Sequence, residues 1–204
     1  MAFPNTEPDR GPPAATVKDL LRALAESRAA DVTGLSAAAR GWVAKELIGR
    51  GGAGRLLLAV APGEDEADEL ARDLAFFLGG GPGPTPVLRV PADPVLPYDD
   101  LSPDRSLEME RLAALGRLHL NPSGVKCVVV SARALARRMV PRAVFERHTD
   151  LLGKGVTVDR EALAAKLVSL GYARVPLVED PGTFAVRGGI IDLWSPLDEK
   201  PVRL

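Results

Sequence analysis

The residue types that could carry chemistry in this chain suit recognition better than catalysis. From Thr183 to Arg187 the side chains alternate between the faces of a strand, so Ala185 and Arg187 share one face and Phe184 and Val186 the other. Gly188-Gly189 separates this run from Ile190 to Trp194 by the two-residue spacing of a hairpin with a primed turn, which presents Arg187 beside the turn. Arg174, two residues after Tyr172, and Arg203 are expected to project nearby. A planar guanidinium pairs through two prongs with a carboxylate, and arginines and aromatics are the usual anchors of protein interfaces. Arg174, Arg187, Arg203 and the hairpin's Phe184 therefore form the candidate partner-binding set. Ordinary exposed arginines with local partners such as Glu179 would read the same way, and that alternative stays open.

Nucleotide chemistry would need a glycine turn between a strand and a helix, where backbone N–H groups and the helix N-terminus face a phosphate. The apolar run Leu56 to Ala61 offers that place, but the turn after it reads Pro62-Gly63-Glu64-Asp65. It lacks the second glycine, the phosphate-clamping lysine and the magnesium-binding hydroxyl, and it puts carboxylates where phosphates would sit. Like charges about 4 Å apart repel by about 1 kcal/mol even in bulk water. We expect a degenerate phosphate loop with no cofactor, its carboxylates complementing the dipole of the following helix. His119 and His148 have no Ser, Asp or Cys beside them in a triad-like pattern, and two scattered histidines with the single Cys127 do not supply a zinc site. No catalytic and no metal-binding residue is expected. Asp99-Asp100 reads as a loop turn, because Pro94 and Pro97 would interrupt a central strand.

The elements that position these residues come from 204 residues, 46% of them hydrophobic, enough for one substantial core or two small ones. No apolar run approaches the roughly 18 to 20 residues that span a bilayer. Residues 1–15, rich in proline, are expected to be a disordered leader and not a secretory signal. The lone Cys127, inside an apolar run, points to a buried strand position and a reducing, cytoplasmic compartment. A net charge of −1 argues against a surface that coats nucleic acid. Acidic side chains dominate residues 61–110 and basic ones 111–147, so direct DNA binding by the arginines from Arg133 to Arg147 is a weaker contender, and solvated helix faces explain the imbalance as well.

Apolar periodicity predicts two opening helices, Thr16 to Ser27 and Ser36 to Ile48, then a strand from Leu56 to Ala61 of the kind buried on both faces of a parallel sheet. A helix from Glu64, a strand Pro86 to Val90, a helix Arg105 to His119, a strand Val125 to Val130 and a helix Ala132 to Met139 capped by Ser131 follow. Strands alternating with helices imply a parallel α/β sheet over residues 16–140. After Pro141 the pattern changes to a smaller α+β domain, residues 141–204: a helix capped by Asp159 and ended by Gly171, then short strands, the last of them cut off as in a piece of something longer.

Leu96-Pro-Tyr-Asp-Asp-Leu-Ser-Pro103, Glu110-Arg-Leu112, the strand end Val128 to Ser131 and above all Gly171-Tyr172 through Pro181 to Leu193 resemble the N-terminal module of the bacterial transcription-repair coupling factors, the Mfd family, itself similar to the damage-recognition subunit UvrB. The resemblance covers roughly residues 55–204. It implies a helicase-like α/β domain whose nucleotide site is degenerate, followed by a small domain that binds UvrA, so that the chain acts as a non-catalytic interaction module in nucleotide excision repair. The family's partner-binding arginines match Arg174, Arg187 and Arg203; the arginine of UvrB-type sequences two places before Arg187 is Ala185 here. RNA polymerase, DNA, an ATP-driven, magnesium-dependent translocase and an intramolecular contact with a C-terminal region are what the family resemblance implies for a longer parent. The alternative is a UvrB-type ATPase domain with an unusual loop.

Overall fold

A computed structural model describes residues 16–27, 29–50, 56–79, 85–95, 98, 100–102 and 104–204. The expected leader 1–15, most of the glycine clusters 49–54 and 79–83, and Asp99 lie outside the described residues.

The first layer is a three-stranded parallel sheet in the order β1-β3-β2, with β1 Leu57–Ala61, β2 Val87–Val90 and β3 Cys127–Ser131. All five residues of β3 are buried, which makes it the centre of the sheet. On one face Val87, Cys127 and Val129 pack against Ala67 and Leu74 of α3 (Glu64–Leu78), with Ala44 and Ile48 of α2 (Ala37–Arg50) beyond; α1 (Val17–Ser27) lies outside them. On the other face Leu88, Val90, Val128 and Val130 meet Ala114 and Leu118 of α4 (Arg105–Leu120) and Ala134 of α5 (Ala132–Ala136).

β1 corrects one expectation. Its run of apolar residues is not buried on both faces: it is one of the two edge strands, and Leu58 and Val60, on the face of Val128 and Val130, are 52% and 48% exposed. An apolar run reads alike whether a helix covers both faces or only one, so the position in the sheet came from the pairing alone. The helix after β3 also stops three residues short, at Ala136, where Arg137 turns back to donate to the carbonyls of Asp93 and Val95.

Ser131 caps α5 as expected, its Oγ accepting from the Ala134 N–H at 2.9 Å. Cys127 is fully buried, and burial pushes its thiol up to about 12. Since the thiolate is the reactive form, the native protein is expected to resist an aromatic disulfide reagent at neutral pH and to react promptly once unfolded in urea. Labelling of the folded chain at the rate of a free thiol would contradict the placement of β3.

A short helix that the periodicity did not signal, α6 (Arg142–His148), follows; its Phe145 stacks edge-on against His119 of α4, with ring centroids 5.6 Å apart. The second layer holds α7 (Arg160–Ser169) and a mixed sheet in the order β4-β5-β6-β7: Ala173–Arg174, Thr183–Arg187, Ile190–Trp194 and Val202–Arg203. Asp159 caps α7 with its Oδ1, which accepts from the N–H groups of Glu161 and Ala162. β4 runs parallel to β5, and β5, β6 and β7 are antiparallel. Leu163 and Leu167 of α7 meet Phe184, Ile191 and Leu193 of the sheet in a core of its own.

Helix α4 joins the two layers. The Arg105 guanidinium donates to the carbonyls of Gly171 and Gly182 at 2.9 and 2.8 Å, at the entry to the second sheet. One helical turn from its other end, Gly116 lets Leu197 come so close that a Cβ there would lie 2.0 Å from Leu197 Cδ2.

Candidate partner-binding face

The two-residue turn sets the register of the hairpin. Gly188 has φ +58 and Gly189 is not among the residues with positive φ, the pattern of a II′ turn, so Arg187 pairs with Ile190 and Ala185 with Asp192. Arg160 at the start of α7 donates to the Gly188 carbonyl and holds the turn from the helix side. β7 then brings Arg203 opposite Asp192.

Cross-strand partners share a face, so Arg187, Ile190, Asp192 and Arg203 all lie on the side of the sheet away from α7. Arg203 grips Asp192 with two parallel hydrogen bonds, Nε to Oδ1 at 2.6 Å and a terminal nitrogen to Oδ2 at 3.0 Å. The Asp192 side chain is only 16% exposed, whereas that of Arg203 is 67% exposed. The hydrogen bonds from Arg203 lower the Asp192 pKa against a smaller opposing effect of burial, and the charges of Arg203 and Arg187 add to the lowering. Arg187 donates to the Pro176 carbonyl, which steadies its exposed guanidinium at the end of the hairpin. The result is a carboxylate paired with Arg203 and within the field of Arg187, one cation in excess, on the face that also carries Ile190, which is 41% exposed. Such a patch offers solvent-exposed guanidinium groups, each held by a partner within the sheet's surroundings, to an acidic partner.

The four expected residues do not all come together. Arg174 is exposed and makes no hydrogen bond or ion pair among the described residues, but it pairs with Phe184 in the parallel register and so belongs to the α7 side of the sheet, on the edge strand. Tyr172, two residues earlier, packs into the core from that same side. Arg174 and the Arg187–Arg203 pair are therefore on opposite faces. Phe184 is a correction: it is 0% exposed and sits in the core between α7 and β6, where no partner can touch its ring. Its aromatic character serves packing.

Sequence reasoning missed Asp192, although hairpin arithmetic places it opposite Ala185, next to the candidate Arg187. It also missed Arg160 and Arg105, which donate to backbone carbonyls remote along the chain, Arg160 pairing with its neighbour Glu161 as well. Of the basic stretch, Arg133 donates to Pro94, Arg137 to Asp93 and Val95, and Arg142 pairs with Glu146, so these side chains are engaged within the molecule.

At the turn after β1, Gly63 precedes α3 in an extended conformation, and Asp65 and Glu66 are exposed, the Glu66 carboxylate folded back against Gly63. Glu64 turns inward. Its Oε2 accepts from a terminal nitrogen of Arg89 on β2 at 2.6 Å and from the Ala92 N–H at 3.0 Å, while Arg89 Nε donates to Asp68 at 2.7 Å.

A parallel α/β layer is tied by one helix to a small mixed sheet that carries Arg187 and Arg203 on one face, and residues 151–204, which include that sheet, match the family described as the UvrB interaction domain. Over nearly its whole length the chain is homologous to the transcription-repair-coupling factors. It is 48% identical to that of Myxococcus xanthus over 197 residues, 95% of this chain and 16% of the relative. The Mycobacterium bovis factor is 39% identical over 159 residues, 74% of this chain and 12% of the relative, and the Escherichia coli factor 35% identical over 109 residues, 53% and 9%. The chain thus spans about a sixth or less of the length of these relatives. No helix among the described residues is long and apolar enough to cross a membrane.

Proposed function

We propose that this chain is a non-catalytic, cytoplasmic module that recruits UvrA in transcription-coupled nucleotide excision repair, using the face of the second sheet that carries Arg187 and Arg203. The observation that supports this most is the Arg187–Asp192–Arg203 cluster within the residues matched to the UvrB interaction domain. Asp192 orients Arg203 and leaves Arg187 as the excess cation, so an acidic residue of UvrA would complete the pattern by pairing with Arg187 at the hairpin's end. Arg174, on the opposite face, would take part only if the partner wraps the edge strand β4. The parallel sheet serves this reading as a helicase-like scaffold working without nucleotide. RNA polymerase, DNA and ATP-driven translocation would belong to other segments of such a protein.

Replacing Arg187 by Ala is expected to weaken UvrA binding by about 2 kcal/mol or more, roughly thirtyfold, because truncating an interface anchor also leaves its partner's charge unpaired. Isothermal titration of UvrA with wild type and the variant measures it. Since Arg187 is exposed, its melting curve should scarcely move, and unchanged affinity would remove Arg187 from the interface.

A further inference from the structure

The Glu64 carboxylate lies where three strands of the first sheet end and helix α3 begins, the place at which parallel α/β sheets hold their ligands. What surrounds it is a set of donors from separate parts of the chain. Arg89 of β2 supplies a guanidinium N–H at 2.6 Å, and Ala92, just past that strand, supplies a backbone N–H at 3.0 Å. Ser131 at the end of β3 places its hydroxyl beside the carboxylate. Oε1 is itself buried and has no hydrogen bond of good geometry. Burial would raise the Glu64 pKa, but the Ala92 amide, the Ser131 hydroxyl and the Arg89 guanidinium outweigh it and hold the group ionised. Arg89 is fixed from its other side by Asp68 and by its own hydrogen bond to the Val90 carbonyl, so it stays in place if Glu64 is removed.

A guanidinium, an amide and a hydroxyl converging at a helix N-terminus are the donors of an oxyanion site. We propose that the carboxylate of Glu64 is the resident anion of an oxyanion site built from Arg89, the Ala92 amide and Ser131, and that taking it away opens that site to a small oxyanion such as acetate or phosphate. The sheet thereby closes its own ligand-binding end: the charge that a bound phosphate would bring is supplied by the chain, and an incoming phosphate would have to expel a carboxylate from its guanidinium.

Thermal unfolding of the full chain at constant pH and ionic strength tests this, with chloride, acetate or phosphate as the anion. Wild type should melt at the same temperature in chloride and acetate. Glu64→Ala in chloride should melt lower by about 4 °C or more, and about 200 mM acetate or phosphate should restore half or more of that loss by filling the vacated site. The double variant Glu64→Ala, Arg89→Ala should show no such recovery. An absence of recovery in Glu64→Ala, or equal recovery in the double variant, overturns the proposal. Glu64→Gln, which keeps the shape and loses the charge, decides the matter where Glu64→Ala does not fold: a fall of several degrees supports the proposal, and a midpoint equal to that of wild type overturns it.

Discussion

Phe184→Ala is expected to destabilise the second layer by about 3 to 5 kcal/mol, the cost of emptying a fully buried aromatic site. Phe184 is the largest of the fully buried side chains and touches the core from the middle of β5, with Leu163 and Leu167 of α7 on one side and Ile191 and Leu193 of β6 on the other. Few residues are available to collapse into the space, because this core is small and its strands are short. Urea unfolding followed by circular dichroism gives the value. Phe184→Leu, which keeps most of the volume, should recover a large part of the loss. The comparison also separates packing from contact: a ring that touched a partner would leave the unfolding midpoint in place on truncation and change only the affinity, and that outcome would return Phe184 to the interface. Because β5 also carries Arg187, loss of this core should also weaken the UvrA binding proposed for this face, without any contact being removed.

Gly182→Val should have an effect of similar size, about 2 to 4 kcal/mol, from a different cause. Gly182 has φ +77, a conformation that costs a residue with a side chain about 1 to 2 kcal/mol and a β-branched one more. Its backbone cannot relax easily. The N–H donates to the Trp194 carbonyl at 2.8 Å, and the carbonyl accepts from Ala173 N–H at 3.0 Å and from Arg105 at 2.8 Å. A Cβ would also lie 2.7 Å from Met109 Sδ, although that flexible side chain can move aside, so backbone strain is the larger share. Gly153→Val provides the control: its φ is not positive, nothing stands within 4 Å of its Cβ and the residue is exposed. Denaturant midpoints for the two variants measure the difference, and a Gly182 variant no less stable than the Gly153 one would show that the joint at α4 does not hold this backbone.

Arg105 makes the same joint from the helix side. It is the first residue of α4, and its two acceptors, Gly171 and Gly182, flank β4 and precede β5. The orientation of the arginine-bearing sheet relative to the parallel sheet is thus tied to one guanidinium, one close approach at Gly116 and the contact of Met109 with Gly182. Substitutions here act on the partner face through its placement.

Much of the fold was legible because its signals are local. Asp159 and Ser131 announce helix starts with side chains that bond two or three residues ahead, and the structure has both caps. The glycine pair at 188–189 between two apolar runs names a hairpin, and its length sets the register that puts Asp192 opposite Ala185. The burial of Cys127 follows from three valines beside it. The candidate site was legible in part. Arg187 beside the turn and exposed is where strand alternation puts it, while the burial of Phe184 follows from the same alternation once α7 is known to cover that face.

What the amino-acid order determined by itself, then, is most of the helices and strands, α6 and the end of α5 excepted, where they turn, and that the turn after β1 is rich in carboxylate. Only the tertiary structure decided that β1 stands at the edge, that Arg174 faces away from Arg187 and Arg203, that Asp192 pairs with Arg203, and that Glu64 turns inward to Arg89. Each of these depends on strand order or on contacts between groups distant along the chain. Sheet order is settled by which apolar faces bury together, and a shift of one residue in register would move every one of those side chains to the other face.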